Sequence, residues 1–344
     1  MKTWHIALIG CGMISKSYIP AITALPNATF AAVCDKNPEK AACAGESIHC
    51  PYFTDAKAML EALPQIEVCL IATPTCTHVD LVDLCAGFGK AVLCEKPIAM
   101  TQADAHRVSQ IVRRTGITYM TAHVVRFWTG YVKLLQMMEA GEFGEIRMSY
   151  FSRCSQSQRW GNEWLYDPVS GGGAMYDMLV HDVDFMNAMF GPARSVYTLA
   201  SKDETACYQN VFASIEYLSG ARGVAETSFT MKEGYPFTMY ARVMGSKATA
   251  EFTYKAGYSI NDRDGAFCEL NIWRDGHPPE KLSPEQYNAY GRETAYFLDC
   301  LEQGTKPSVV TIANNEEVMH VINAIEASAK LGKKIELAEY SGRL

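Results

Sequence analysis

No stretch of the 344 residues comes near the roughly 18 consecutive apolar positions of a membrane span. No run of Lys and Arg occurs either. With 31 basic against 38 acidic residues the net charge is −7, which offers nucleic acid no basic surface. Among the twelve cysteines there is no Cys-x-x-Cys pair, so the spacing of zinc ribbons and thioredoxin-type sites is missing. Twelve cysteines in 344 residues also fall well below the roughly 8–10% of a disulfide scaffold. Several of them, Cys34, Cys69 and Cys94, sit inside apolar runs, where a thiol acts as a small hydrophobe. The reading is of reduced thiols in a cytoplasmic protein, with no membrane and no nucleic-acid partner. Internal repeats and low-complexity linkers are absent as well.

What remains is ordinary globular composition, 48% hydrophobic and 20% charged, in a chain long enough for about two domains. The apolar stretch at residues 4–9 runs straight into glycines, which suits a buried strand and not a secretory signal. Further on, strand-like runs at 29–34, 67–72, 91–94 and 117–121 alternate with helical patterns at 13–25, 38–45, 55–63, 77–87 and 101–115. Pro20 is an awkward residue inside the first of these helices. Such alternation predicts a parallel sheet covered on both faces. The pattern changes near residue 122. A helix at 127–140, a strand at 145–153 and a helix at 174–189 precede strand-like stretches at 195–201, 208–217, 223–230, 237–244, 249–254 and 267–273. These predict a mostly antiparallel sheet, closed by helices at 284–303 and 314–331. The expected division is 1–122 for the first domain and 123–344 for the second, with the last helix a candidate to pack back on the first.

Gly10-Cys11-Gly12-Met13-Ile14-Ser15 follows the first strand and opens a helix. This is the G-x-G-x-x-G/A dinucleotide fingerprint with Ser in the third place. The first glycine makes the tight turn. Backbone at Gly12, Met13 and Ile14 can approach a pyrophosphate at the helix N-terminus, and the third position needs only a small side chain. Asp35, twenty residues after Ser15, ends the second strand and suits the ribose hydroxyls of NAD. Lys36 beside it leaves NADP open. In a parallel sheet the ligand crevice lies at the C-terminal strand ends. Thr73, Pro74 and His78 follow one such strand, and Glu95-Lys96-Pro97 ends another. A lysine there can present its ammonium to a substrate oxygen and to the nicotinamide ribose. Pro97 restricts the local geometry and is a candidate cis bond.

A second signal is Gly171-Gly172-Gly173 followed by Asp177, His181, Asp182 and Asp184. Asp177 and His181 are four apart and share a helix face. Such an Asp can fix the imidazole's tautomer while the other ring nitrogen meets substrate. A histidine poised near neutrality suits removal of an alcohol proton. A metal site made of His181, Asp182 and Asp184 is disfavoured, because adjacent helical residues point apart. The segment from Tyr150 to Asp167 is rich in aromatics, amides and arginine, as a sugar site would be. It makes Trp160 a substrate candidate, and Arg126, Arg153 and Arg159 candidate carboxylate partners.

Taken together, these residues resemble the glucose–fructose oxidoreductase/inositol dehydrogenase/MocA (Gfo/Idh/MocA) family of NAD(P)-dependent oxidoreductases. The resemblance runs over nearly the whole chain, from Ile6–Gly12 through Ala72-Thr73-Pro74 with His78, Gly89–Pro97, Arg126-Phe127, Gly144-Glu145-Ile146 and Ser170–Gly173 to the helix at Glu326–Ala329. Ser15 departs from the usual Gly or Ala. Leu179 stands where a Gly often separates the Asp and the His. The resemblance implies an N-terminal Rossmann domain and a C-terminal α/β domain with an open sheet. It implies Lys96, Asp177 and His181 as the catalytic group. It also implies Gly10, Gly12, Met13, Ile14, Asp35, Thr73, Pro74, His78, Glu95 and Lys96 toward the cofactor. Arg126, Arg153, Trp160, Asp177 and His181 fall toward the substrate. The expected cofactor is NAD, with NADP possible, and no metal is expected. The expected reaction is hydride transfer between nicotinamide and a hydroxyl-bearing carbon of a sugar, inositol or related polyol. A homodimer or homotetramer through the open sheet is expected. Two alternatives are a glycoside hydrolase working by transient oxidation and a non-catalytic dinucleotide sensor; the presence of both Lys96 and His181 weighs against the sensor.

Overall fold

Near-continuous apolar strands need cover on both faces, and alternating ones need it on only one. The two halves of this chain follow that division. The computed structural model describes residues 2–157, 163–258, 260, 265–284 and 288–342. In the first part, β1 (Trp4–Ile9), α1 (Ser15–Thr23), β2 (Ala28–Cys34), α2 (Pro38–Ser47), β3 (Tyr52–Phe53), α3 (Ala56–Ala62), β4 (Val68–Ile71), α4 (His78–Gly87), β5 (Ala91–Glu95), α5 (Gln102–Thr115) and β6 (Tyr119–Ala122) alternate. Their strands form one parallel sheet in the order β3-β2-β1-β4-β5-β6. All four residues of β4 are buried, as a central parallel strand requires.

Helix starts follow local chemistry. Asn37 accepts from the Glu39 and Lys40 amides ahead of Pro38, Asp55 accepts from Ala58, and Thr101 accepts from Asp104. Gly116 closes α5 in the left-handed conformation. Pro20 is accommodated within α1 on its exposed side, where the carbonyl that loses its bond belongs to the exposed Lys16.

The second part contains α6 (Thr129–Glu139), β7 (Ile146–Gln156), α7 (Val180–Phe190), β8 (Ala193–Lys202), β9 (Tyr208–Tyr217), β10 (Arg222–Met231), β11 (Thr238–Gly245), β12 (Thr249–Lys255), β13 (Phe267–Trp273) and β14 (Glu280–Leu282). The chain then continues through α8 (Ala289–Gln303), α9 (Ile312–Leu331) and β15 (Ile335–Glu336). Among the described residues nine strands make the second sheet, in the order β14-β13-β12-β11-β7-β10-β9-β8-β15. Its pairings are antiparallel except β7 with β10. One face is core: Phe151, Ala213, Ala225, Ala241, Phe252 and Leu270 are all 0% exposed. The alternate residues, Met148, Tyr197, Leu199, Phe212, Met244, Phe267 and Trp273, are 37–64% exposed. The strands β3, β14 and β15 were not expected; two or three residues are too short to show a period.

The chain divides into two compact units, one comprising Met1–Phe127 with Asn288–Glu316, the other Trp128–Tyr287 with Glu317–Leu344. The expected division into 1–122 and 123–344 differs from these units at 123–127 and at 288–316, the second stretch holding α8 and the start of α9. Helix α8 sets Tyr290 edge-on against Tyr18 and Tyr296 against Phe127, which binds it into the first unit. Among the described residues no helix is long and apolar enough to cross a membrane. All twelve cysteines stand as free thiols.

Candidate active site

In the first unit, the fingerprint turn is shaped by close backbone approach. Gly10 has φ +103°, and a Cβ there would lie 2.4 Å from the Ala72 carbonyl oxygen. No other residue fits. At Gly12 the opposite holds, since a Cβ would meet nothing within 4 Å. α1 begins beyond it with no side-chain cap and no acidic residue in its first turn. An open cradle at an uncapped, positively poled helix start fits a pyrophosphate. Ser15, the departure from the fingerprint, is 3% exposed, and its hydroxyl donates to Gly12 O at 2.6 Å. The small-residue requirement is thus met without leaving a polar group unsatisfied.

Asp35 sits at the end of β2 as expected. Its two carboxylate oxygens accept the Cys11 and Asn37 amides, each at 2.8 Å. Such a clamp presents the carboxylate in one orientation, with lone pairs left for ribose hydroxyls. Burial, with the adjacent Asp35 charge, pushes the Cys11 thiol up to about 12, so it stays protonated.

Thr73 and Pro74 follow β4. The Thr77 hydroxyl lies 2.7 Å from both Thr73 Oγ1 and Pro74 O. His78 does not face a ligand. It is 0% exposed, with Nδ1 at 2.9 Å from Pro97 O and Nε2 at 3.0 Å from Thr73 O. The expectation of a cofactor contact is corrected: the ring sits between two loops that line the strand ends, and as a neutral imidazole it donates to one of the two carbonyls. Burial pushes its pKa down to about 4.

Glu95 is likewise turned inward. It is 6% exposed; Oε1 accepts the Tyr18 hydroxyl at 2.8 Å and Oε2 the Lys96 amide at 3.1 Å. Its carboxylate is bonded within the fold, where it was expected to face the cofactor. Lys96 itself is partly exposed at the end of β5, and its bond to Pro97 is cis. Arg126 is 8% exposed in the 3₁₀ turn Val124–Phe127 of the same unit.

In the second unit, the expected helix at 174–189 opens as a π turn, Met175–Leu179, before α7. π turns recur at functional sites. The unusual Leu179 lies in this turn, fully buried. Gly173 precedes it with φ +70°, and a Cβ there would lie 2.7 Å from Cys207 Cβ. Gln209 of β9 accepts the Ala174 amide at 3.1 Å, and Tyr176 donates to Glu326 of α9 at 2.9 Å. The turn is therefore gripped at its start and along its buried side. From Gly171 to Met186 every residue is buried except Asp177. His181, one turn on, is 9% exposed, while Asp182 and Asp184 are 0% exposed. Packing thus leaves the pair Asp177 and His181 as the polar residues nearest to solvent and seals the other two carboxylates.

Arg153 explains one of those seals. Its side chain is 2% exposed, with Nε at 3.1 Å from Asp182 Oδ2 and Nη2 at 3.0 Å from Oδ1. Nη2 also lies 3.4 Å from the Tyr131 hydroxyl. Burial drives the Asp182 carboxyl up, and the guanidinium works against that shift. Arg153 is a core residue and not a substrate contact, because both ends of its fork are committed. Trp160 and Arg159 lie outside the described residues. Among the described residues no group of three or more metal-type ligands occurs.

The sequence reading missed Tyr18 and Glu293, both 0% exposed, and Gln209. Tyr18 reads as one more apolar helix residue. Glu293 and Gln209 carry no spacing signal at all.

Comparison with known proteins gives concordant results. A model described as "Oxidoreductase family, NAD-binding Rossmann fold" matches residues 4–123, and one for the "GFO/IDH/MocA C-terminal domain" matches 131–251. The chain is 25% identical to the D-apiose dehydrogenase of Paraburkholderia graminis, over 98% of this chain and 90% of that protein. It is 26% identical to the inositol 2-dehydrogenase of Rhizobium meliloti, over 88% of this chain and 90% of that one. The crystal structure of the aldose-aldose oxidoreductase from Caulobacter crescentus shares the fold at TM-score 0.85 and 20% identity, covering 97% of this chain and 100% of the other.

Proposed function

The chain belongs to the Gfo/Idh/MocA family of NAD(P)-dependent oxidoreductases, and from that premise we propose that it transfers a hydride between nicotinamide and a hydroxyl-bearing carbon of a sugar, inositol or related polyol. The observation that carries this reading is that Asp177 alone between Gly171 and Met186 is not buried, with His181, four residues on, retaining 9% exposure while Asp182 and Asp184 retain none. Names of the similar proteins, an apiose and an inositol dehydrogenase, agree with the substrate class.

When bound, the nicotinamide supplies the hydride acceptor or donor. His181 takes the hydroxyl proton, since hydride leaves a carbinol carbon readily only as its proton leaves. Asp177, one turn earlier, orients the imidazole. Lys96 stabilises the developing alkoxide through its ammonium. Gly10, Gly12, Met13 and Ile14 hold the pyrophosphate by backbone, with Thr73 and Pro74 beside them. Asp35 holds the ribose hydroxyls and repels a 2′-phosphate, which favours NAD. Arg126 is assigned to substrate binding. The twelve free thiols suit a reducing, cytoplasmic setting.

We also assign the exposed face of the nine-stranded sheet to a homodimer or homotetramer contact. Met148, Tyr197, Leu199, Phe212, Met244, Phe267 and Trp273 share that face, and exposed apolar side chains on one sheet face support a partner there.

The test is a panel of aldoses, polyols and inositols with NAD and with NADP, followed at the reduced-nicotinamide absorbance band. Net cofactor reduction with at least one of them is expected. Substrate consumption without net reduction would replace this reading with transient-oxidation hydrolysis. Binding without turnover across the panel would replace it with a sensor.

A further inference from the structure

A buried tyrosine connects α1 to the strand end that carries Lys96. Tyr18 and Glu293 are both 0% exposed, and Glu95 is 6% exposed. The Tyr18 hydroxyl lies 2.8 Å from Glu95 Oε1 and 3.2 Å from Glu293 Oε2. Glu95 Oε2 accepts the Lys96 backbone N–H at 3.1 Å. Tyr290 of α8 closes the ring edge-on at 5.0 Å between centroids. Every one of these residues belongs to the first unit. Packing alone does not account for the hydroxyl, because a phenylalanine would fill the same space. A phenol has one proton to donate, and Glu95 is the nearer acceptor.

We propose that Tyr18 is a positioning residue for Lys96, acting through the Glu95 carboxylate that holds the Lys96 peptide. This rests on the reading of Lys96 as catalytic. The lysine side chain departs from the peptide that Glu95 grips. A displacement of about 1 Å there carries through to the ammonium, and errors of that size cost rate steeply. Tyr18 also stands three residues after Ser15, on the helix whose start forms the pyrophosphate cradle. The helix that receives the cofactor therefore also sets the lysine that works beside it.

The experiment compares wild type with Tyr18→Phe, which keeps the ring and removes only the hydroxyl. Amide hydrogen exchange at Lys96 is read by NMR on the protein alone. We expect it to quicken about tenfold, as for one loosened, partly buried hydrogen bond, while the β5 amides stay unchanged. With the substrate that reduces cofactor fastest in the panel above, kcat should fall about tenfold or more, with KM and the NADH dissociation constant within about twofold, as for lost positioning and not lost binding. Unchanged Lys96 exchange and kcat in folded Tyr18→Phe would overturn the proposal. So would a uniform rise in exchange across β5, which marks general loosening. If Tyr18→Phe does not fold, Glu95→Ala, which removes the acceptor of both bonds, is read at the Lys96 amide, and unchanged exchange there overturns the proposal. A Lys96→Ala control separates the two levels: wild-type turnover there sinks the catalytic reading of Lys96, whereas lost turnover there with an unaffected Tyr18→Phe sinks only the role of Tyr18.

Discussion

The two units carry their candidate chemistry in different materials. In the first, the decisive groups are largely main chain: the Gly10 turn under Ala72, the open Gly12 cradle, and the amides that clamp Asp35. In the second they are side chains on one buried helix, where packing alone separates Asp177 and His181 from Asp182 and Asp184. A backbone device is announced by glycines at fixed spacing. A side-chain device is announced only by residue types, and those types also serve as core ion pairs, as Arg153 and Asp182 do.

The strongest way to sharpen this contrast is to remove a side chain from the second unit. His181→Ala should slow single-turnover hydride transfer by roughly 10²–10⁴-fold, the range for losing a general base. NADH affinity should survive, because the pyrophosphate is held by backbone of the first unit. Lost NADH binding in this variant would assign His181 a structural role, and transfer at near-normal rates would remove it from the mechanism.

Arg153 marks the boundary between site and core. Arg153→Met should lower stability in urea unfolding by about 3–5 kcal/mol, the usual cost of orphaning one member of a buried ion pair. The double variant Arg153→Met/Asp182→Leu should recover most of that loss. A normal urea midpoint accompanied by a raised KM would return Arg153 to the substrate.

His78 tests the first unit through pH. Its folded pKa, about 4, lies below the ordinary value of 6.5, so the unfolded chain binds the proton more readily. The stability it contributes is present above pH 6.5 and is lost as pH falls toward 4, by about 3 kcal/mol over that window. His78→Gln should flatten that part of the stability curve. An identical acid limb in wild type and variant would show that folding does not lower the His78 pKa.

Asp35 gives the smallest expected effect. Asp35→Ala should narrow or reverse a preference for NAD over NADP, by about tenfold, as expected when one charge facing a phosphate is removed. Tighter binding of NADP than NAD by the wild type would show that the clamped carboxylate does not face the ribose.

The sequence by itself determined the strand–helix alternation, the fingerprint, the acid after β2, and the Asp177–His181 spacing, because each follows from local rules of periodicity, turn geometry and small residues. Tertiary structure decided which polar residues face a ligand. His78 and Glu95 occupy the predicted crevice edge yet turn inward, His78 between the carbonyls of nearby Thr73 and of Pro97, 19 residues on, and Glu95 toward a tyrosine hydroxyl 77 residues away in the chain. Arg153 is committed to a carboxylate 29 residues further along the chain. The helix at 174–189 opened as a π turn in a place gripped by Gln209 and Glu326, neither of which is near it in sequence. A side chain's environment is the sum of contacts from elements far apart in the chain. Local pattern names the candidates, and only the folded packing sorts the buried partner from the exposed group.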